Sequence, residues 1–308
     1  EVELPELYTV TGAEYEAIHG CWCKAIKVLP YFCVVHKQDW FIKEKYMPEL
    51  QKDDMSFLSR SFERHFNERP YLKHSCYLYL TKTTKERNRM QSNFSTLCRG
   101  HIIPKELDKE TAGKFMEAAE QFERIMNDSG FVRLRRLSTD EIVGTEKSAG
   151  LIERYFSLMP EGDTTLQDID LSAKEMRIGD KRLCLHTLSD AEDMPGKVAT
   201  DIRYEKLSTD RSDCRLSFAS PVGLLLSCNH IYNQYVIIDN SEENLQKFEK
   251  SARNMQSLSR YSRSNSINRE WIDQYLNEAH SYGLTSVRAH FNVMAWSDDA
   301  EELKHIKN

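Results

Sequence analysis

The 308-residue sequence lacks the motifs that bind nucleotide phosphates. A phosphate loop needs glycines in a tight turn, followed by a lysine and then a serine or threonine. The only two Gly-Lys pairs, at residues 113–114 and 196–197, are each followed by an apolar residue, and neither has the first glycine of the motif. GxGxxG and GxSxG patterns are absent as well. We therefore predict no ATP, Mg²⁺ or other cofactor site, and no catalytic residue, within this sequence.

Long apolar runs and an excess of positive charge are also missing. The longest stretch without Asp, Glu, Lys or Arg is Leu216–Ile238, and its apolar centre covers only Val222–Leu226. A membrane-spanning helix needs ~20 mostly apolar residues, so we expect one or two buried strands here and no transmembrane segment. The net charge of −6 gives no global attraction to nucleic acid or anionic lipid.

Eight cysteines are present without any CxxC pair, which predicts reduced and mostly buried thiols of a cytosolic protein. One cluster invites a zinc interpretation: His19, Cys21, Cys23, Cys33 and His36 lie within eighteen residues. On a helix, however, Cys21 and Cys23 diverge by about 200°, and on a strand Cys33 and His36 point to opposite faces. Ordinary packing is therefore favoured over a metal site.

The hydrophobic pattern predicts an α+β protein made of two domains, each a mixed or antiparallel sheet with covering helices. The boundary is placed at Pro160-Glu161-Gly162-Asp163, giving domains of residues 1–160 and 161–298. Strands are predicted at 1–10, 33–41, 72–81, 131–137, 176–178, 183–188, near Val222, at 231–238 and at 287–296. Helices are predicted at 11–29, 55–67, 115–126, 138–160, 245–258 and 267–280.

Both ends of the sequence indicate a piece of a longer protein. Residue 1 is Glu1 rather than Met, and a helix that begins at Ala300 is only two turns long when the sequence stops at Asn308. Such a short helix needs tertiary contacts to be stable. We therefore expect residues 299–308 to begin a connection to a further domain.

A basic segment after the aromatic strand is the candidate contact surface for a partner. The candidate residues are Tyr77, Tyr79, Lys85, Arg87, Arg89 and Arg99. Basic residues beside aromatic rings suit single-stranded DNA or a negatively charged protein, although such runs are more often solvated surface. A catalytic pair of Cys228 and His230 on one strand face is the enzymatic alternative, and core packing is the simpler interpretation of these two residues.

Five stretches resemble a known family. They are VLP with VVHKQDWF (28–30, 34–41), KTTKER with QSNF (82–87, 91–94), DID with RIGDKR (168–170, 177–182), LSCNHIYNQ (226–234) and RAHFNVMAW (288–296). Together they resemble the N-terminal region of TraG-type proteins of conjugative transposons, in the VirB-type conjugation and type IV secretion ATPase family. The resemblance covers essentially the whole sequence.

The resemblance implies that a RecA-like ATPase motor follows residue 308, and that ATP and Mg²⁺ bind only there. No motor motif of the family matches a position in this sequence. The expected role is then a non-catalytic docking and assembly region in the cytoplasm, peripheral to the inner membrane. Its partners would be inner-membrane channel subunits and, in a hexamer, further copies of the protein. Contact with single-stranded DNA in the same transfer machine is the alternative function.

Overall fold

The computed structural model describes residues 1–6, 9–46, 56–83, 109–158, 167–172, 175–187, 202–216, 220–259 and 261–307. Its strands are β1 (Val2–Glu3), β2 (Cys33–Lys45), β3 (Pro70–Lys82), β4 (Arg133–Leu134), β5 (Gly144–Thr145), β6 (Ser148–Ala149), β7 (Ile169–Leu171), β8 (Met176–Ile178), β9 (Lys181–Thr187), β10 (Ile202–Arg203), β11 (Arg215–Leu216), β12 (Asn229–Ile238) and β13 (Val287–Ser297). Its helices are α1 (Gly12–Lys27), α2 (Phe57–Asn67), α3 (Lys109–Asp128), α4 (Thr139–Val143), α5 (Leu151–Ser157), α6 (Ser220–Leu224), α7 (Ser241–Leu258), α8 (Arg263–Tyr282) and α9 (Ala300–Lys307).

The fold is α+β, as the sequence predicts, and is organised by one antiparallel sheet in the order β4-β1-β3-β2-β12-β13-β9-β8-β7. The sequence analysis divides the strands between two sheets, whereas the structure joins them in one. The junction is the β2–β12 ladder, in which residues 34–41 pair with 237–230. Pairing over such a distance in sequence leaves no local pattern, so alternation alone could not reveal it.

The strands preceding the predicted domain boundary and those following it form two contiguous blocks of this sheet. The first block is β4-β1-β3-β2, and the second is β12-β13-β9-β8-β7. Residues 159–166, where the boundary is placed, lie outside the described residues. The division into domains 1–160 and 161–298 therefore stays a prediction.

The side chains of β2 alternate between two faces of the sheet. We name them the Trp40 face, which also carries His36 and Gln38, and the Asp39 face, which also carries Lys37 and Phe41. The alternation predicted for β2 and β3 is confirmed by the residue pairing of the two strands. Helices cover both faces, and the core consists of three clusters of buried side chains.

Two clusters lie on the Asp39 face. In the first, Ala25 of α1 and Phe122 and Met126 of α3 pack over Cys33 and Val35. In the second, Leu303 of α9 packs with Cys184 and Ala295. The third cluster, on the Trp40 face, joins Trp40 to Leu151, Ile178 and Trp296. Side chains from both halves of the chain therefore share one core around the β2–β12 ladder.

The local signals in the sequence account well for the ends of the helices. Thr11 and Glu14 form the expected capping box at the start of α1, since the Thr11 backbone N–H donates to the Glu14 carboxylate at 2.8 Å. Gly283 ends α8 with φ +58°, a left-handed conformation that suits glycine. The expected short edge strand is also present, because β4 lies at one end of the sheet.

Two predicted strands are wrong. Of the described residues 1–6 and 9–10 in the predicted strand 1–10, only Val2–Glu3 form a strand, and the apolar run at Val222 forms helix α6. A short apolar run has no period that separates a helix from a strand. In this protein the packing of α6 against β12 favours the helix. The two elements are so close that a Cβ atom added to Gly223 would lie 2.7 Å from Cδ1 of Tyr232.

Candidate functional site

The residues predicted to contact a partner fall into two groups. Lys85, Arg87, Arg89 and Arg99 belong to residues 84–108, which lie outside the described residues. Tyr77 and Tyr79 lie on β3 and point to the Trp40 face. Tyr77 is buried and meets the Trp40 ring edge to face, with ring centroids 6.1 Å apart.

Tyr79 belongs to a row of stacked rings that crosses three neighbouring strands. The His36 ring lies between Tyr79 and Tyr235, with centroid distances of 5.1 Å and 4.2 Å and interplanar angles of 25° and 16°. Burial lowers the pKa of His36 and raises that of Tyr79, so both rings are uncharged at neutral pH. Stacking by a nucleotide base needs open ring faces, and here both faces of His36 are covered.

Beside this row, a buried network of amide groups satisfies its own hydrogen bonds. The Oδ1 atom of Asn233 accepts from Gln38 Nε2 at 2.9 Å and lies 2.8 Å from Nε2 of His36, while Asn233 Nδ2 donates to Asn292 Oδ1 at 2.9 Å. The Gln38 Oε1 atom accepts from Trp40 Nε1 at 2.7 Å and from the Tyr79 hydroxyl at 3.1 Å. The structure therefore gives Tyr77 and Tyr79 a packing role, and a contact role for them stays a prediction.

The Asp39 face carries a buried carboxylate whose pKa is strongly perturbed. Asp39 is buried, and its carboxylate accepts hydrogen bonds from Lys37 Nζ and from His74 Nε2, the latter at 2.9 Å. Burial alone would raise the pKa of Asp39, but the His74 hydrogen bond and the Lys37 charge outweigh it and lower the pKa to about 2. Burial raises the pKa of the neighbouring Cys76 thiol to about 12. At neutral pH the thiol is protonated, and Asp39 is the counter-charge of Lys37.

A second stack continues from this cluster into the sheet. The Phe41 ring lies between His74 and His230, with centroids 4.6 Å apart on each side. Nδ1 of His230 lies 2.8 Å from the Cys228 carbonyl oxygen, and Nε2 lies 2.7 Å from that of Gly223. Burial lowers the pKa of His230 and raises that of the Cys228 thiol. Cys228 and His230, the possible catalytic pair of the sequence, therefore consist of a protonated thiol and an imidazole whose nitrogens face backbone carbonyl oxygens.

A cavity of about 760 Å³ opens on the Asp39 face. Its lining includes Lys37, Asp39 and His74 from the sheet and Glu3 and Glu6 from the N-terminal segment. The volume suits a small ligand, and the Asp39–His74 pair could orient an imidazole for proton transfer. The thiol at the cavity, Cys76, is protonated at neutral pH and cannot serve as the nucleophile.

No group of three His, Cys, Asp or Glu side chains among the described residues is placed to hold a metal ion. In the cluster considered for zinc, Cys21 is buried with its Sγ 3.7 Å from Sδ of Met126, whereas Cys23 is exposed beside His19. The two thiols diverge along α1, as helical spacing predicts. The seven described cysteines are all free, and six of them are buried.

Exposed aromatic side chains lie on a pair of helices between two strands of the sheet. Helices α7 and α8 form a hairpin between β12 and β13 and pack mainly against each other, with Phe248 and Tyr275 in contact at 5.2 Å. Three aromatic residues of α8 and its flanking turn are exposed: Tyr261 by 86%, Trp271 by 64% and Tyr282 by 74%. The exposure of this surface could not be predicted from the sequence, because Trp271 is four residues from Tyr275 and Tyr282 is three residues from Ala279, the spacing of residues on one side of a helix.

Comparison with models of known protein families gives no match for this chain, and comparison with curated proteins gives no significant match. The resemblance to TraG-type proteins therefore depends on the five stretches quoted above. In the part of the chain that the structure describes, no helix is both long and apolar enough to cross a bilayer.

Proposed function

We propose that this chain is the non-catalytic docking and assembly region of a TraG-type conjugative-transfer ATPase of the type IV secretion class. In this role it couples a motor that follows residue 308 to inner-membrane subunits of the transfer channel. The protein works in the cytoplasm at the inner-membrane surface and assembles as a hexamer. The family assignment is supported by the five sequence stretches, and the docking role by the exposed surfaces.

The observation that carries the docking role is the α7–α8 hairpin. Large exposed aromatic residues mark protein interaction sites, because tryptophan and tyrosine lose much water contact when a partner covers them. Trp271 and Tyr282 are exposed although each lies on a well-formed helix. In contrast, the polar groups around Asp39 hydrogen-bond to one another inside the fold, and those around Gln38 do the same on the opposite face of the sheet.

The test is co-purification of the full-length protein with the inner-membrane channel subunits of its transfer system. We expect Trp271→Ser combined with Tyr282→Ser to reduce recovery of a channel subunit at least tenfold, since truncating a central interface aromatic costs about 2 kcal/mol or more. Val143→Ser, at an exposed apolar residue of α4, is the matched control and should leave recovery unchanged.

Two results would contradict the proposal. One is equal recovery of channel subunits by the hairpin variant and the wild type. The other is ATP hydrolysis by residues 1–308 alone, because the proposed role assigns all ATP chemistry to the motor. A contact with single-stranded DNA, the alternative function, would use the segment Lys82–Arg99 and predicts salt-dependent binding that Arg87→Glu with Arg89→Glu abolishes.

A further inference from the structure

Helix α2 lies at the tip of a projecting arm of the sheet. Pairing between β12 and β2 ends at His230 and Phe41, whereas β2 and β3 continue to pair as far as Lys45 and Pro70. The two strands therefore extend four residues, or about 13 Å, beyond their neighbour. The connection between them contains α2, so this helix is held away from the main core.

The apolar side of α2 is left uncovered by the residues that the structure describes. The helix has eleven residues and none is buried. Its large apolar side chains are exposed: Phe57 by 84%, Leu58 by 78%, Phe62 by 61% and Phe66 by 44%. Isolated helices shorter than ~12–15 residues are marginal in water, and most helices are stabilised by packing of their apolar side. None of the described residues supplies that packing for α2, so its apolar side is available to a surface outside the chain.

The chemistry of the helix indicates the kind of surface. Leu58, Phe62 and Phe66 are spaced by four residues and form one stripe, and the Tyr46 ring packs against Phe66 at 6.3 Å. Arg60 and Arg64 lie on the other side of the helix. Aromatic residues on one side and arginines on the other are typical of helices that lie in the interface of a lipid bilayer.

The charge of the arm is opposite to that of the whole chain. Residues 41–46 and 56–73 contain six basic residues, Lys43, Lys45, Arg60, Arg64, Arg69 and Lys73, against three acidic ones, Glu44, Glu63 and Glu68. The connecting residues 47–55 add one basic and three acidic residues, so the segment 41–73 stays positive, while the chain has a net charge of −6. An anionic surface would therefore attract the arm even though the chain as a whole is acidic.

We propose that α2 is a membrane-surface anchor that inserts Leu58, Phe62 and Phe66 into the interface of an anionic bilayer. Tyr46 and Tyr71, both exposed on the arm, would lie at headgroup level, where aromatic residues are enriched. Arg60 and Arg64 would contact lipid phosphates. This contact is made by the chain itself, and it does not depend on the protein partner proposed for the α7–α8 hairpin.

The experiment is sedimentation of the purified chain with vesicles of phosphatidylcholine alone or mixed with phosphatidylglycerol. We expect binding to the mixed vesicles that weakens as salt is added. Phe62→Ser combined with Phe66→Ser should lower the partition coefficient on the order of a hundredfold, because two phenylalanines lose their apolar contact. Arg60→Gln combined with Arg64→Gln should lower it about fivefold per arginine on mixed vesicles only.

Two controls separate this anchor from other effects. Trp271→Ser on the α7–α8 hairpin should bind vesicles like the wild type, and all variants should keep the wild-type melting temperature, since the substituted side chains are outside the core. Equal vesicle binding by the wild type and the double phenylalanine variant would overturn the proposal. So would a change in oligomeric state of that variant without lipid, which would identify a second copy of the chain as the occupant.

Discussion

At the scale of single residues, the Lys37–Asp39–His74 cluster concentrates most of the buried charge. Each partner stabilises the ionised carboxylate, and together they outweigh the cost of burying it. Alternation along β2 places Lys37 and Asp39 on one face, so half of the cluster could be predicted from the sequence. His74 could not, because its position depends on the β2–β3 register, in which it pairs with Phe41.

Asp39→Asn should lower the free energy of unfolding at neutral pH by about 3 kcal/mol, because Lys37 loses its counter-charge and one of the two acceptor oxygens is replaced by an NH2 donor. In the wild type the folded-state pKa of Asp39 is about 2, below the ordinary pKa of 3.8 for an aspartate side chain. The ionised carboxylate of Asp39 therefore contributes its full stabilisation at a pH above the ordinary pKa of 3.8. This stabilisation is lost as the pH falls toward the folded-state pKa of about 2. Urea unfolding between pH 2 and pH 7 should show this loss in the wild type and a flatter profile in the variant.

Glu110→Gln is the control for that series, since it removes an exposed ion pair with Lys114 that contributes little. If the wild type and Asp39→Asn lose stability equally between pH 4 and pH 2, the cluster is not the cause. The same conclusion follows if Asp39→Asn and Glu110→Gln have equal free energies of unfolding at neutral pH.

At the scale of elements, the sequence predicts where the long helices and strands lie in the chain better than it predicts what they pack against. Alternation and capping residues fix β2, β3, β13 and α1, since those signals are local. The exposure of α2 could not be predicted, because its apolar stripe has the same spacing as that of a core helix. Only the missing cover distinguishes the two, and that is a property of the tertiary structure.

The two capping boxes should differ in their effect on stability. Thr11 caps α1, which buries Cys21 and Ala25, whereas Ser138 caps the short helix α4, which buries nothing. Thr11→Ala should lower the free energy of unfolding by about 1 kcal/mol, as is usual for a lost N-cap. Ser138→Ala should have a much smaller effect, because α4 can fray without opening the core. Urea unfolding of both variants tests this, and equal effects would contradict it.

At the scale of the whole molecule, the β2–β12 ladder decides whether the halves can exist apart. Without β12, the edge of β2 and the side of Trp40 that contacts Ile231 would be exposed to water. We expect residues 1–160 alone to aggregate, since an unpaired, partly apolar edge strand promotes association. The complete chain should unfold in one transition, with fluorescence and far-ultraviolet circular dichroism midpoints that coincide.

The control is a version of residues 1–160 with Val34→Lys, which places a charge on the exposed edge strand at a half-buried residue outside the three core clusters and should improve solubility. A monomeric, cooperatively folded wild-type segment 1–160 would contradict this expectation. That result would support the domain division at residue 160 that the sequence suggests.

The same ladder has a consequence for synthesis on the ribosome. His36 and its partner Asn233 are 197 residues apart in the chain. At roughly 5–20 residues per second, translation needs about 10–40 s to supply the second strand after the first has emerged. During that interval the nascent chain exposes the central strand of its future sheet. A chaperone that shields this strand co-translationally would therefore determine how much of the protein reaches its folded state.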